Sequence, residues 1–402
     1  MSEAGHVAWM LTASALVLLM TPGLAFFYGG LVRGKNVVST MMYSYVSMAV
    51  VSVMWVLWGY SLAFGAGGDF IGNLDFVGFK DVSASGEDGG ISPMLFAIFQ
   101  MMFAIITPAL ITGAFVERFK FTTYIVFLVV WVTLVYVPIT HWVWASDGWI
   151  AGLGALDFAG GIVVHASAGI AAIVVAKMIG TRRNIERGVE PHNVPYVLLG
   201  TGLLWFGWFG FNAGSGLLAD STAVSAFLVT NTSAAVAGLV WMVLDYQSTG
   251  RVSAVGFATG VIAGLASITP AAGFVGPMGA LAIGTIGSIA AYTTVKLMAK
   301  TSIDDALEVF AVHGVGGLWG TIATGIFATG GVGLIDGDSD LLWANFRAAV
   351  AVVIYSGIAS FIILKILDLI PGLGLRTSEE DEDRGLDIAL HGERGYVADG
   401  AD

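Results

Sequence analysis

Long apolar stretches separated by short polar turns occupy most of this chain. A helix that spans a membrane needs roughly 20 mainly apolar residues, and eleven stretches reach that length. Their approximate bounds are 7–29, 37–64, 93–116, 121–143, 154–179, 195–217, 222–246, 252–270, 277–299, 309–330 and 342–369. The pattern predicts an all-α polytopic membrane protein with eleven transmembrane helices.

Composition indicates that lipid is the solvent for most of the chain. Only 11% of residues are charged, whereas a soluble domain carries about 25%. The hydrophobic share is 56% and the mean hydropathy is +0.84. The absence of cysteine excludes disulfides, thiolate metal sites and cysteine nucleophiles. No nucleotide-binding glycine motif stands in a suitable context, which argues against ATP-driven pumping.

Basic residues predict the orientation. With the N-terminus outside, all of the 17 Lys and Arg residues except Lys80 and Arg347 lie on or near the cytoplasmic side. Cytoplasmic loops are enriched in these residues, so we predict an N-out, C-in topology. Residues 1–371 then form the transmembrane domain, and residues 372–402 form a cytoplasmic C-terminal tail.

Two histidines lie inside apolar segments in the same local frame. Each frame has an acid, seven residues, a histidine, three residues and a glycine: Asp157–His165–Gly169 and Asp305–His313–Gly317. In the predicted topology the fifth and tenth segments are antiparallel. Five helices in each half make the second half an inverted repeat of the first, with a final helix added. Both histidines should therefore meet near the membrane midplane, where ionisable groups usually serve function.

Other interpretations of these residues are open at this point. A buried histidine often only joins two helices by hydrogen bonds. A pair of histidines is also a ligand set for haem. Asp157 is at least as well suited to capping the start of the fifth helix as to proton chemistry, because Asp is favoured at helix N-termini.

Aromatic residues near the outer side suggest a cation site. Trp142 and Trp144 lie at the outer end of the fourth segment, and Gln100 and Phe103 lie in the third. A further stretch contains Trp205, Phe206, Trp208, Phe209, Phe211, Asn212 and Ser215. Some of these rings belong to an interfacial belt. Desolvated aromatic faces attract cations by about 2 kcal/mol each, which suits a small polyatomic cation better than a metal ion.

Several long motifs resemble the ammonium transporter (Amt/MEP/Rh) family, and its microbial Amt branch in particular. The resemblance extends along nearly the whole chain. The motifs are PGLAFFYGGLVRGKN at 22–36, GALDFAGGIVVH at 154–165, GWFGFNAGS at 207–215, ITPAAGF at 268–274, FAVHGVGG at 310–317 and GLDIALHGERGY at 385–396.

The resemblance implies roles for individual residues on the outer side. Phe103, Trp144 and Ser215 would form the recruitment site for NH4+, with Gln100 nearby. Phe103 and Phe211 would form a stacked gate below that site.

The resemblance also implies the pore and the partners. His165 and His313 would be the twin histidines of a hydrophobic pore, and Asp157 would support the recruitment site. The family forms homotrimers in the cell membrane, with one pore in each protomer, and its cytoplasmic tail is regulatory. Many microbial members respond to a PII-type signalling protein. No enzymatic activity, cofactor, metal or nucleic acid is implied.

Two departures from the family pattern concern the cytoplasmic side. Glu308 stands where an aspartate is usual, five residues before the second histidine, and the tail carries the acidic run EEDED at 379–383. The predicted function is recruitment of NH4+ (with methylammonium as an analogue), deprotonation, conduction of NH3 past the histidines, and reprotonation inside, with or without co-transport of the proton. An ammonium sensor with little flux is the alternative.

Overall fold

A computed structural model describes residues 3–86 and 90–397. The described chain is helical, with one isolated β-bridge between Phe119 and Arg376. Residues 398–402 of the predicted tail lie outside the described residues. The predicted all-α class is confirmed for the part that is described.

The helices follow the predicted apolar stretches. They are α1 Glu3–Leu31, α2 Gly34–Phe64, α3 Pro93–Ala114, α4 Phe121–Trp144, α5 Gly161–Ile179, α6 Val194–Gly214, α7 Ser221–Thr249, α8 Ala254–Ile268, α9 Pro277–Met298, α10 Phe310–Phe327 and α11 Asp340–Leu369. A short helix, Trp149–Gly152, follows α4 after a break at residues 145–148. Within the described residues, ten of them are long and apolar enough to cross a membrane, and α8 is a shorter apolar helix. The count of eleven spans and the N-out, C-in orientation stay predictions.

Polar caps determine where several helices begin. Their side-chain oxygens accept hydrogen bonds from backbone N–H groups of the first turn, which have no partner within the helix. The capping residues are Ser92 for α3, Asn193 for α6, Asp220 for α7 and Ser253 for α8. Proline, which lacks an N–H group, occupies the first turn of α3, α6 and α9.

The predicted start of the fifth span was wrong. The span was expected to begin at residue 154, but regular helix begins at Gly161. Residues 155–157 have no regular structure, and Gly160 has a left-handed φ of 110°. Asp157 therefore precedes α5 instead of lying within it, and apolar composition alone did not reveal this break.

Packing places α5 and α10 together at the centre of the protein. Their N-terminal turns contact each other and are surrounded by α3, α8 and α11. On another side, α1 packs along α6, where the rings of Phe26 and Tyr196 meet edge to face at 5.3 Å. The crossing of α5 and α10 thus brings the two histidine frames into one buried region.

The tail is fastened to the loops at one end of the helices. It contains two short helical segments, α12 Glu379–Arg384 and α13 Asp387–His391. The guanidinium of Arg376 donates to both carboxylate oxygens of Glu382, at 2.6 and 2.9 Å, and to the carbonyl oxygen of Ile179 at the end of α5. These contacts order the tail against the membrane domain.

A second set of contacts joins the acidic part of the tail to the same face. Arg183 donates to both carboxylate oxygens of Asp383, at 3.0 and 2.9 Å, and these hydrogen bonds lower the pKa of that carboxyl. The carboxylate of Asp387 accepts a 2.8 Å hydrogen bond from the backbone N–H of Ser39, in the first helical turn after Asn36. The tail therefore caps a membrane helix.

The substitution Asp387→Ala should loosen the tail. Loss of a cap costs about 1 kcal/mol, which corresponds to roughly a fivefold increase in local opening. Hydrogen exchange of peptides covering 385–396 should become faster by about that factor. Glu380→Ala, in the exposed part of α12, is the control and should leave exchange unchanged; equal exchange in both variants would contradict the capping role.

Candidate functional site

Both histidines lie in widened helical turns. His165 lies in the π-helical turn Gly161–Ala166, where its N–H donates to the carbonyl oxygen of Gly160 at 3.0 Å. His313 lies in the matching π-helical turn Phe310–Val315. Such turns are rare and frequently occur at functional sites. The two frames thus share a backbone conformation as well as a sequence pattern.

The imidazoles of the two frames contact each other directly. Their Nδ1 atoms are 3.2 Å apart, and the rings are stacked with centroids 5.2 Å apart and planes 18° apart. A neutral imidazole has one donor and one acceptor nitrogen, so one ring donates and the other accepts. A haem iron would have to lie between the two nitrogens with a porphyrin plane separating the rings. The direct contact leaves no space for it, which removes the haem interpretation.

The glycine of each frame makes room for the opposite frame. A Cβ atom on Gly317 would lie 2.7 Å from Cβ of His165 and closer still to the carbonyl oxygen of Gly161. A Cβ atom on Gly169 would overlap the backbone of Gly314 and lie 3.1 Å from the carbonyl carbon of His313. Only a residue without a side chain allows these helices to approach closely enough for the imidazoles to meet.

The two frame acids do different things. The carboxylate of Asp157 accepts four backbone N–H groups, from residues 160 to 163, at 2.5–3.1 Å. The carboxylate of Asp305 accepts one bond, from Phe310 N–H at 2.7 Å, and its Oδ1 atom is buried with no partner among the described residues. Asp157 is therefore a fully used helix cap, as one of the two sequence interpretations held.

Three rings from three helices meet on one side of the histidine pair. Phe103 of α3 and Phe211 of α6 are in contact, with centroids 4.3 Å apart and planes 36° apart. Trp144 of α4 lies edge-on to Phe103 at 5.8 Å, and its indole N–H donates to the carbonyl oxygen of Asp157 at 2.8 Å. The cap of α5 thus also holds the indole.

The two polar residues of the predicted recruitment site lie on the same helices as these rings. Ser215 is half-buried one turn beyond Phe211, and its hydroxyl donates to the carbonyl oxygen of Phe211 at 2.8 Å. Gln100 lies three residues before Phe103, and its buried Oε1 atom has no partner in the part of the chain that the structure describes. Ser215 and Gln100 thus lie beside the rings along the chain, and the hydroxyl oxygen of Ser215 and the Oε1 atom of Gln100 can each accept a hydrogen bond.

Trp208 is a site residue that sequence reasoning assigned no role. Its ring is stacked on His165, with centroids 5.4 Å apart and planes 22° apart. Its indole N–H donates to the hydroxyl of Thr269 at 2.9 Å, which holds the ring in place. The signal in the sequence was the spacing of Trp208 and Phe211, three residues apart and hence on one helical face.

A narrow apolar cavity surrounds the histidine pair. Its volume is about 10 Å³, room for about one molecule the size of water. Its wall consists of both imidazoles and mainly aliphatic and aromatic side chains, including Leu24, Val164 and Ile262. The Nε2 atom of His165 is buried without a partner among the described residues. The cavity therefore offers a small polar molecule a hydrogen bond and offers an ion no charged side chain.

A larger cavity begins on the other side of His313. It has a volume of about 170 Å³ and is also lined by Glu308 and Arg182. Glu308 has a left-handed φ of 64°, which is uncommon for a residue other than glycine. Burial, and to a smaller extent the negative charge of the nearby Asp305, raise the pKa of Glu308 to about 7. Its carboxyl can therefore exchange a proton near neutral pH.

Comparison with known proteins shows which family this chain belongs to. The model of the Ammonium Transporter Family matches residues 8–396. The chain belongs to the ammonium transporter family. The matched range extends from the start of the first span to the tail, so it covers every residue of the site.

Individual members of the ammonium transporter family are similar over their whole length. An ammonium transporter of Bacillus subtilis (strain 168) is 47% identical, over 98% of this chain and 99% of that protein. The crystal structure of Saccharomyces cerevisiae Mep2 is 38% identical, with a TM-score of 0.87, over 94% of this chain and 90% of that one. A structure described as a sensor Amt protein is 32% identical, with a TM-score of 0.89, over 97% of this chain and 98% of that one.

The substitution Gly317→Ala tests whether close approach of α5 and α10 holds the site of this transporter together. The added methyl group must displace backbone, and such overpacking costs about 1–3 kcal/mol. The purified variant should unfold several degrees lower on heating. Gly202→Ala is the control, because a Cβ atom there would meet nothing within 4 Å. Equal unfolding temperatures would show that the crossing tolerates a side chain.

Proposed function

We propose that this protein transports ammonium by recruiting NH4+ at an aromatic site, removing a proton, and conducting NH3 through the histidine-lined cavity into the cytoplasm. The observation that supports this most directly is the contact of His165 with His313 inside a narrow apolar cavity, below the rings of Phe103 and Phe211. We assign no enzymatic activity to the site.

Recruitment is proposed at Trp144, Phe103 and Ser215, with Gln100 nearby. Aromatic faces attract a cation through their quadrupole, and NH4+ can also donate hydrogen bonds to hydroxyl and amide oxygens. The rings of Phe103 and Phe211 are in contact, with centroids 4.3 Å apart, and Phe211 also lies against His165. We propose that these two rings form the gate and that deprotonation takes place beside it.

Selectivity against K+ is proposed to come from the narrow cavity and not from recruitment, because K+ and NH4+ are nearly the same size. Moving an ion from water into an apolar cavity costs tens of kcal/mol unless charged groups compensate. The described lining contains imidazoles and apolar side chains. NH4+ avoids this cost by leaving a proton behind and crossing as NH3, whereas K+ has no neutral form.

Asp157 is proposed to support this site structurally. Its carboxylate already accepts four backbone N–H groups, so little capacity remains for a proton from the substrate. Its carbonyl oxygen holds the indole of Trp144. Reprotonation is proposed in the cavity beyond His313, where Glu308 can exchange protons near pH 7. The proton either follows NH3 inward or returns outside, and these two cases differ in the current that transport produces.

A sensor with the same fold is a second candidate, because a structurally similar chain is described as a sensor Amt protein. A sensor needs the recruitment site but not rapid flux. Tail contacts with the loops, such as Arg183 with Asp383, would suit either role. Uptake of labelled methylammonium into proteoliposomes distinguishes them, since a sensor would bind the ion with little accumulation.

The proposed assembly is a homotrimer in the cell membrane, with residues 1–371 as the transport domain and residues 372–402 as a regulatory tail. A groove of about 800 Å³ on the outside of α1, α6 and α7 is lined by Trp9, Phe209 and Phe227. Such apolar surface is suited to contact with lipid or a neighbouring subunit. A PII-type protein is the proposed partner of the cytoplasmic face.

Wild-type protein in proteoliposomes should respond selectively to ammonium. On a solid-supported membrane, pulses of NH4+ should produce currents at least about tenfold larger than pulses of K+ when the proton follows NH3 inward, because K+ has no neutral form that can cross the apolar cavity. Methylammonium should produce an intermediate response. Labelled methylammonium uptake without current would indicate that the proton returns outside, and currents with K+ equal to those with NH4+ would refute the proposed selectivity.

The substitutions His165→Ala and His313→Ala should reduce selectivity more than flux. A wider cavity admits water and lowers the barrier to an intact cation, so the NH4+ to K+ current ratio should fall by about tenfold or more. His192→Gln, at a histidine that does not line the narrow cavity, is the matched control. A ratio unchanged in both alanine variants would show that the imidazoles do not enforce deprotonation.

The substitution Trp144→Leu should weaken recruitment. Loss of about 1–2 kcal/mol of cation–π attraction corresponds to a five- to thirtyfold increase in KM for methylammonium uptake. Trp144→Phe keeps an aromatic face but removes the hydrogen bond to Asp157, so its KM should lie between the KM of the wild type and that of Trp144→Leu. If Trp144→Leu and wild type had the same KM, Trp144 would not be part of the recruitment site.

A further inference from the structure

His141, in the last helical turn of α4 before Trp144, has an unusual pair of neighbours. Its side chain is fully buried. Nδ1 lies 2.9 Å from the carbonyl oxygen of Ala63, and Nε2 lies 2.6 Å from the carbonyl oxygen of Gly68. Both neighbours are acceptors and neither can donate.

A neutral imidazole cannot satisfy this geometry. It carries one N–H group, so its second nitrogen would direct a lone pair at a carbonyl oxygen within hydrogen-bond distance. Turning the ring by 180° would replace both nitrogens by carbon atoms and lose both bonds. We infer that His141 is held as an imidazolium that donates to both carbonyl oxygens and thereby positions the recruitment end of α4.

The surroundings balance this charge. The carboxylate of Asp147 lies 3.7 Å from Nε2 of His141. The same carboxylate accepts the backbone N–H groups of Gly67 and Gly68, at 3.2 Å each. A buried cation is tolerated when a counter-charge and hydrogen bonds are both present, and both are present here.

Other titratable groups on the packed elements are few. The residues around His141 come from 60–64, 132–136, 149–152 and 161–166, together with the loop that follows residue 64. Among the described residues of these elements and of the loop up to Ser92, the titratable groups are Tyr60, Tyr136, His165, Asp69, Asp75, Lys80 and Asp81, and Lys80 lies 4.0 Å from Asp81. None of the groups on the four helical elements is a cation at neutral pH that would compete for Asp147.

The imidazolium fastens a loop to the helix end that carries the recruitment indole. Besides the two carbonyl contacts, Trp142 donates its indole N–H to the carbonyl oxygen of Phe70 at 2.8 Å. The backbone N–H of Trp149 donates to the carbonyl oxygen of Asp69 at 3.1 Å. Residues 63–70 are thus held along the end of α4, two residues from Trp144. His141 is therefore a positioning residue, and this consequence rests on the proposed recruitment of ammonium at Trp144.

His192 provides an internal comparison. Its Nδ1 atom lies 2.8 Å from the carbonyl oxygen of Val32, and its Nε2 atom lies 3.0 Å from the hydroxyl of Tyr396. A hydroxyl can donate or accept, so a neutral imidazole satisfies both contacts. Both ring nitrogens of His192 and of His141 are in hydrogen-bond contact. The contacts of His192 need one N–H group, whereas those of His141 need two.

Nitrogen NMR of protein labelled with ¹⁵N-histidine tests the protonation state directly. At pH 8 an ordinary imidazole is neutral. The signals lost in His141→Gln should be those of two protonated nitrogens, whereas the signals lost in His192→Gln should include one unprotonated nitrogen. Asp147→Asn should shift the His141 signals towards the neutral form. An unprotonated nitrogen on His141 in the wild type would overturn the inference.

Uptake kinetics test the positioning role. His141→Gln keeps a donor for one carbonyl only, so KM for methylammonium should rise about three- to tenfold while the maximal rate stays within about twofold. His192→Gln should change neither value. An unchanged KM in His141→Gln would refute positioning. Absence of transport in the wild type would refute the proposed function, and the NMR result would still decide the protonation of His141.

Discussion

The contact between the imidazoles of His165 and His313 depends on how closely α5 and α10 can cross. The 3.2 Å distance between their Nδ1 atoms requires backbones that nearly touch, and glycine at 169 and 317 makes that possible. Widened π-helical turns then direct both side chains into the crossing. The remaining helices enclose this point in apolar side chains, so that neutral rings share a proton in a place where an ion would be costly.

The two frames have different surroundings despite the shared pattern. On one side the cap at Asp157 is saturated by backbone N–H groups and also holds Trp144 through its carbonyl oxygen. On the other side Asp305 accepts a single bond, and Glu308 opens into a cavity of about 170 Å³. An aromatic side and a carboxyl-containing side with a larger cavity would give the proposed pore a direction. The features that the two frames share therefore build the helix crossing, and the features in which they differ are the ones that the proposed function uses.

Ion pairs on the tail side connect that open cavity with the rest of the protein. Arg182, which lines it, donates to both carboxylate oxygens of Asp304 at 2.9 Å. The fully buried Arg118 donates to the carbonyl oxygen of Asp304 at 2.6 Å. The neighbouring Arg183 pairs with the tail acid Asp383. Arg182 thus binds Asp304 at the cavity wall, and the next residue, Arg183, binds the tail. These two adjacent residues connect the cavity wall to the tail.

The sequence by itself determined the all-helical membrane class, because apolar stretches of that length have few other stable environments. It also predicted the pairing of the two histidines, because an inverted repeat brings equivalent positions of its two halves together near the midplane. The structure itself located the start of α5, where the carboxylate of Asp157 accepts four backbone N–H groups just after the chain turns at Gly160. It also decided that Trp208 stacks on His165 and that His141 lies between two carbonyl oxygens. Such contacts join residues far apart along the chain, and the local pattern of hydrophobic and polar positions does not specify which distant residue each side chain meets.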